Sequence, residues 1–185
     1  MNICIFASGN GSNFEAIVKA IKNKELNLNK CILFSDKKNA YVLERAKKYN
    51  IENFVLSLND FNSKEEYERE ILSYLNKENI DLILLAGYMK IIGTIILSKY
   101  ENRIINIHPS LLPSFKGKNA IQDALNYGVK ITGVTVHYVD SGIDTGKIIL
   151  QEAVDILEND TIKSLSEKIH NVEHRIFIQA LKLLI

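Results

Sequence analysis

Three short segments hold residue types that could perform chemistry. The first is Ser8-Gly9-Asn10-Gly11-Ser12-Asn13. It follows an apolar run, Ile3 to Ala7, and precedes Phe14, Ile17, Val18 and Ile21, whose spacing marks one face of an amphipathic helix. Backbone N–H groups at a helix start lack partners and carry partial positive charge, so they suit a phosphate. Gly9 and Gly11 let the backbone approach an anion, while Ser12 and Asn13 add side-chain donors. A plain turn with Ser12 as helix cap is the bland alternative. Gly9-Asn10-Gly11 also begins a dinucleotide fingerprint, with Asp36 where a ribose-binding acid would stand. Phe14 occupies the third glycine position and would obstruct a pyrophosphate, so a single phosphate monoester fits better.

The second segment is Asn106-Ile107-His108-Pro109-Ser110-Leu111-Leu112-Pro113, which contains both prolines of the chain. In an extended segment Asn106 and His108 point to the same side, and Pro109 biases His108 toward extended backbone. An amide donor and an imidazole held together could bind a developing oxyanion and move a proton. A structural Asn-His pair at a strand end is the alternative. The third segment offers Asp144 among glycines and Asp140 four residues earlier. A carboxylate beside an imidazole favours its charged form. A solvated turn aspartate is the competing reading, and the residues alone do not choose between the two carboxylates.

His137 lies in an alternating strand and reads as a packed residue. His170-Asn171-Val172-Glu173-His174 matches an H-x-x-E-H zinc-peptidase pattern, with both histidines on one helix side. Only eleven residues follow, too few for a downstream helix bearing a third ligand, so both histidines are expected on a solvated face or rim and no metal is expected.

Apolar runs at 3–7, 31–34, 53–56, 81–86 and 103–107 alternate with helical periods at 14–21, 40–49, 67–75 and 89–97. This alternation implies an α/β fold with an open, mostly parallel, Rossmann-like sheet flanked by helices. The runs at 131–139 and 148–154 then form an antiparallel C-terminal portion if they pair across the Asp140 to Gly146 loop, and Asp160 or Thr161 caps a last helix. One domain over 1–185 accounts for the length. A formal charge of +1 gives no electrostatic reason to expect nucleic-acid or membrane partners. Cys4 and Cys31 form neither a disulfide framework nor a zinc motif, which suits a reducing, cytoplasmic setting. No signal peptide or membrane span is read.

SGNGSN at 8–13, LAGYMKII at 85–92, NIHPSLLPSFKG at 106–117 and GVTVHYVDSGIDTG at 133–146 together resemble the phosphoribosylglycinamide formyltransferases, folate-dependent enzymes of purine synthesis. The HPSLLP string is shared with other 10-formyltetrahydrofolate enzymes. The GNGSN loop and single-domain length point to this family within them. The resemblance implies the formyltransferase fold, with 10-formyltetrahydrofolate as co-substrate, glycinamide ribonucleotide as acceptor, and a monomer or homodimer. It implies Asn106, His108 and Asp144 as the catalytic trio. Gly11, Ser12 and Asn13 would hold the ribonucleotide phosphate, and Glu173 with His170 its ribose side. Met89, Lys90, Ile91 and Ile92 would border the folate, the loop from Asp140 to Asp144 would read its pterin, and Lys64 would meet its glutamate tail. Lys64 and Lys90 stand where arginine is frequent in the family, giving point charges in place of bidentate forks. A formyltetrahydrofolate hydrolase and a non-catalytic nucleotide-binding module are the competing readings.

Overall fold

The computed structural model describes residues 1–185. Five strands, β1 (Asn2–Phe6), β2 (Lys30–Ser35), β3 (Glu52–Val55), β4 (Leu82–Leu85) and β5 (Ile104–His108), pair in parallel. Then β6 (Ile131–Tyr138) and β7 (Ile148–Asp155) add antiparallel, giving the order β3-β2-β1-β4-β5-β6-β7. The helices are α1 (Ser12–Lys22), α2 (Tyr41–Tyr49), α3 (Lys64–Lys77), α4 (Thr94–Lys99), α5 (Ala120–Tyr127) and α6 (Ile162–Leu184).

The central strands read as continuous apolar runs because both faces are covered. Ile3 and Ile5 of β1, with Leu82 and Leu84 of β4, face a core shared with α1, α2, α5 and α6. Cys4 and Phe6, with Ile83 and Leu85, face the opposite core, closed by Tyr67, Ile71 and Leu75 of α3 and Ile96 of α4. The strand order runs one way from β1 to β3 and the other way from β4, so β1 and β4 flank the topological switch point. A crevice opens there at the carboxyl ends, where open α/β sheets bind ligands. The loops after the two strands are tied together: Ser8 N–H donates to the Gly87 carbonyl (3.1 Å) and Met89 N–H to Ser8 Oγ (2.9 Å).

The expected architecture is present, with local differences. The helical period at 89–97 is helical only from Thr94. Gly87 takes a positive φ of 77°, and the Met89 and Gly93 N–H groups bond to side chains of Ser8 and Glu68 instead of to helical carbonyls. The third strand begins at Glu52 and ends at Val55, one residue before the run read as 53–56. The short α5 was not anticipated. Thr161 caps α6 in a capping box with Ser164, as its sequence allows.

Candidate active site

Asp144 is the hub of the site. Its Oδ2 lies 3.4 Å from His108 Nδ1 and accepts the Gly117 N–H at 2.9 Å. Its Oδ1 lies 3.4 Å from Asn106 Nδ2 and 3.6 Å from His137 Nε2. The expected trio is therefore brought together, with His137 as a fourth member. His137 had been read as packing; it is buried, but its imidazole faces the same carboxylate. Antiparallel pairing places it there, because β6 sets His137 directly opposite Asn106. The Asn106 amide stands 3.2 Å from His137 Nε2, while His137 Nδ1–H donates to the Tyr138 carbonyl at 2.7 Å. As the neutral tautomer His137 accepts from Asn106, and it donates to Asp144 only when cationic. The facing His137, then the Gly117 N–H and the His108 charge, hold the Asp144 carboxyl down at about 2, against the opposing effect of burial.

His108 is equally constrained. Its Nε2 lies 2.9 Å from the Phe115 carbonyl, which only accepts, so Nε2 carries a proton. Phe115 and Asp144 both adopt left-handed backbone, at φ 51° and 52°, where non-glycine residues are strained. Behind them, Thr135 Oγ1 donates to the Ser110 carbonyl (2.6 Å) and accepts from the Leu112 N–H (3.0 Å) and Gln151 Nε2 (2.9 Å). This buried network pins the segment after β5. The sequence reading did not identify Thr135, Ser110 or Gln151, since only the β5–β6–β7 pairing brings them together.

Between the two aspartates left open by the sequence, geometry decides. Asp140 accepts from Thr145 Oγ1 (2.6 Å) and the Gly142 N–H (3.0 Å), so it shapes its own loop. Those bonds, Thr145 first, lower its pKa. Asp144 is the carboxylate at the histidines.

The cluster lies in a cleft of about 650 Å³ that also reaches Gly9 to Asn13 at the start of α1. Gly11, and not Ser12, is the N-cap, and no side chain caps this helix. Arg45 of α2 holds the loop from outside, donating to the Asn10 carbonyl (2.9 Å) and Asn10 Oδ1 (2.7 Å) and pairing with Glu15. The Asn13 side chain departs from the expected anion contact, since its amide donates to Glu173 Oε2 at 3.1 Å. Glu173 and His170 both line the cleft. Burial pushes the Glu173 pKa up, partly offset by Asn13 and by the His170 charge. Of the two histidines expected on a solvated face or rim, His170 is exposed, while His174 is half-buried with its Nε2 buried and without a partner.

Met89, Lys90, Ile91 and Ile92 line both this cleft and an adjoining cavity of about 320 Å³. Lys64 lies in the smaller cavity, 3.7 Å from Glu68. Lys90 lies 3.7 Å from Asp36. The dinucleotide reading placed Asp36 at a ribose; it is only 5% exposed and paired with Lys90, outside the cleft lining.

A family model described as formyl transferase matches residues 1–181. The chain belongs to the formyl transferase family. A phosphoribosylglycinamide formyltransferase of Bacillus subtilis (strain 168) is 45% identical over 181 residues, 98% of this chain and 93% of that protein. A trifunctional purine biosynthetic protein adenosine-3 of Chironomus tentans is 43% identical over 181 residues, 97% of this chain but 13% of that longer protein. The crystal structure of phosphoribosylglycinamide formyltransferase from Bacillus halodurans superposes with a TM-score of 0.96 at 48% identity, covering 100% of this chain and 95% of that one. Glycinamide ribonucleotide transformylase 1 from Geobacillus kaustophilus gives 0.96 at 49% identity, covering 99% and 97%. No helix of this formyl transferase is long and apolar enough to cross a membrane.

Proposed function

We propose that this formyl transferase moves the formyl group of 10-formyltetrahydrofolate to the amine of N1-(5-phospho-D-ribosyl)glycinamide, giving the formylated ribonucleotide and tetrahydrofolate in purine synthesis. The observation that carries the reading is one cleft with an anion-suited helix start at one end and the Asn106, His108, His137 and Asp144 cluster at the other. A phosphate seated at Gly11, Ser12 and Asn13 N–H groups anchors the acceptor, and this remote binding orients its amine. Glu173 and His170 serve its ribose side. The partly apolar wall of Met89, Lys90, Ile91 and Ile92 suits the folate ring system, and the backbone of the loop from Asp140 to Asp144 reads the pterin. Lys64 supplies positive charge for the glutamate tail.

Attack of the neutral amine on the formyl carbon gives a tetrahedral oxyanion. In the free protein both Asn106 amide protons face partners, His137 and Asp144. The 3.4 Å contact to Asp144 is the longer and weaker of the two, so the oxyanion takes that donor. His108 presents Nδ1 on the Asp144 side and donates the second contact as the imidazolium, since its Nε2 proton is already held by the Phe115 carbonyl. A proton leaves the amine and reaches the departing folate nitrogen through this cluster. Each oxyanion donor contributes roughly 2.7–4 kcal/mol in comparable sites.

The test is formyl transfer followed by folate absorbance, with and without the ribonucleotide. Transfer that requires the ribonucleotide supports the proposal. Equal donor consumption without it would make the chain a hydrolase, and no consumption with either would reject both.

A further inference from the structure

The segment from Gly87 to Gly93 borders both cavities without regular structure of its own, so something outside it must hold its shape. At its start Met89 N–H is held by Ser8 Oγ. At its end, Glu68 of α3 reaches in: a buried carboxylate, 4% exposed, whose Oε1 accepts the Gly93 N–H at 2.6 Å. The preceding residue on α3 touches the same segment, with Tyr67 and Tyr88 hydroxyls 3.2 Å apart.

Gly93 is informative about this contact. Its φ of −89° and ψ of 178° are open to any residue, so backbone conformation does not demand glycine. Glu68 occupies the space instead: a Cβ there would lie 2.4 Å and 2.5 Å from its two carboxylate oxygens, so a side chain at this position would push the carboxylate off the Gly93 N–H. The carboxylate and this backbone are packed against each other. A negative charge is also an unfavourable choice for a cavity that is to receive an anionic glutamate tail, unless it does other work there. Lys64, one helical turn away, lies 3.7 Å from the same oxygen and compensates the charge.

We propose that Glu68 is a positioning residue for the folate-binding wall. By holding the Gly93 N–H it fixes the placement of Met89 to Ile92 between the two cavities. This rests on the proposed folate site and adds a residue that touches neither reacting atom.

The experiment compares Glu68→Ala with Glu68→Gln, whose amide oxygen still accepts the Gly93 N–H. A charge-assisted hydrogen bond lost from a buried position predicts a folate KM raised about tenfold or more in Glu68→Ala. The ribonucleotide KM and kcat at saturating folate stay within about threefold, as expected when folate binding common to the ground and transition states is lost. Glu68→Gln restores the folate KM to within about threefold. Independently, amide exchange at Gly93 quickens at least about tenfold in Glu68→Ala and not in Glu68→Gln. An unchanged Gly93 exchange rate in Glu68→Ala overturns the proposal, as does a folate KM equal to wild type or a matching rise in both KM values. If the wild-type protein transfers no formyl group, the functional reading fails, while the exchange comparison still judges the Glu68 contact by itself.

Discussion

At the residue scale the site is a competition for one carboxylate. Asn106, His108, His137 and the Gly117 N–H all converge on Asp144, so its charge is shared rather than dedicated to a single histidine. Asp144→Asn tests that charge. Asparagine tolerates the left-handed φ of 52° and keeps an oxygen for the Gly117 N–H, so the loop survives while the charge and the acceptor facing Asn106 are lost. Turnover should fall by on the order of 100-fold or more, with the ribonucleotide KM within a few-fold, because the phosphate loop is untouched. Unchanged kcat across neutral pH would remove Asp144 from the mechanism. The acid-side stability has a definite sign as well. The folded pKa of about 2 is below the ordinary value of about 3.9, so the carboxylate stabilises above the ordinary value, and this contribution disappears as pH falls through the folded value.

At the scale of elements, the junction of β1 and α1 separates two roles of glycine. Gly11 has a φ of 77°, and a Cβ there would lie 2.3 Å from Val42 Cγ2, so both strain and a clash oppose alanine. Gly9 has an ordinary backbone and nothing within 4 Å of where a Cβ would be. Gly11→Ala is therefore expected to destabilise the free protein by about 1–3 kcal/mol. Gly9→Ala should leave the denaturation midpoint nearly unchanged yet raise the ribonucleotide KM, since only an approaching phosphate would meet the new methyl. Denaturant melts paired with steady-state kinetics separate the two, and a Gly9→Ala enzyme with wild-type KM would show that no anion approaches that backbone. The helical face of α1 and the apolar runs of β1 and β4 were readable in the sequence because burial on one face leaves a period and burial on both leaves a continuous run. His137 was not readable. Its place opposite Asn106 depends on the register of an antiparallel pair, which no local pattern records. The stretch at 89–93 misled for the opposite reason: its apolar residues have helical spacing, but its N–H groups find better partners in Ser8 and Glu68. The eight residues of α5 bury only Ala120 and Ala124 fully, too little apolar signal to stand out between two strands.

At the scale of the whole molecule, the cleft lining joins distant parts of the chain. Asn13 from α1 and Glu173 from α6, 160 residues apart, meet in a buried hydrogen bond where the two helices pack. Burying an ionised carboxylate with one amide partner costs stability, and the raised pKa of Glu173 records that cost. The sign follows directly. A carboxyl whose folded pKa exceeds its unfolded one destabilises the fold at neutral pH, and the penalty fades as pH falls below the unfolded value near ~4.3, where the group becomes protonated in both states. Glu173→Gln keeps an oxygen for Asn13 and removes the charge. It should raise the melting temperature at pH 7 by roughly 2–4 °C for each kcal/mol relieved, and the charge-dependent gain should vanish about a pH unit below the unfolded pKa. The same change should weaken ribonucleotide binding, because an amide is a poorer acceptor for ribose hydroxyls than a carboxylate. Thermal melts across pH together with ribonucleotide calorimetry measure both sides of this exchange between stability and function. A pH-independent melting difference would mean that the Glu173 carboxyl has the same pKa folded and unfolded. Unaltered affinity would mean that its charge serves the packing of α1 on α6 and not the substrate.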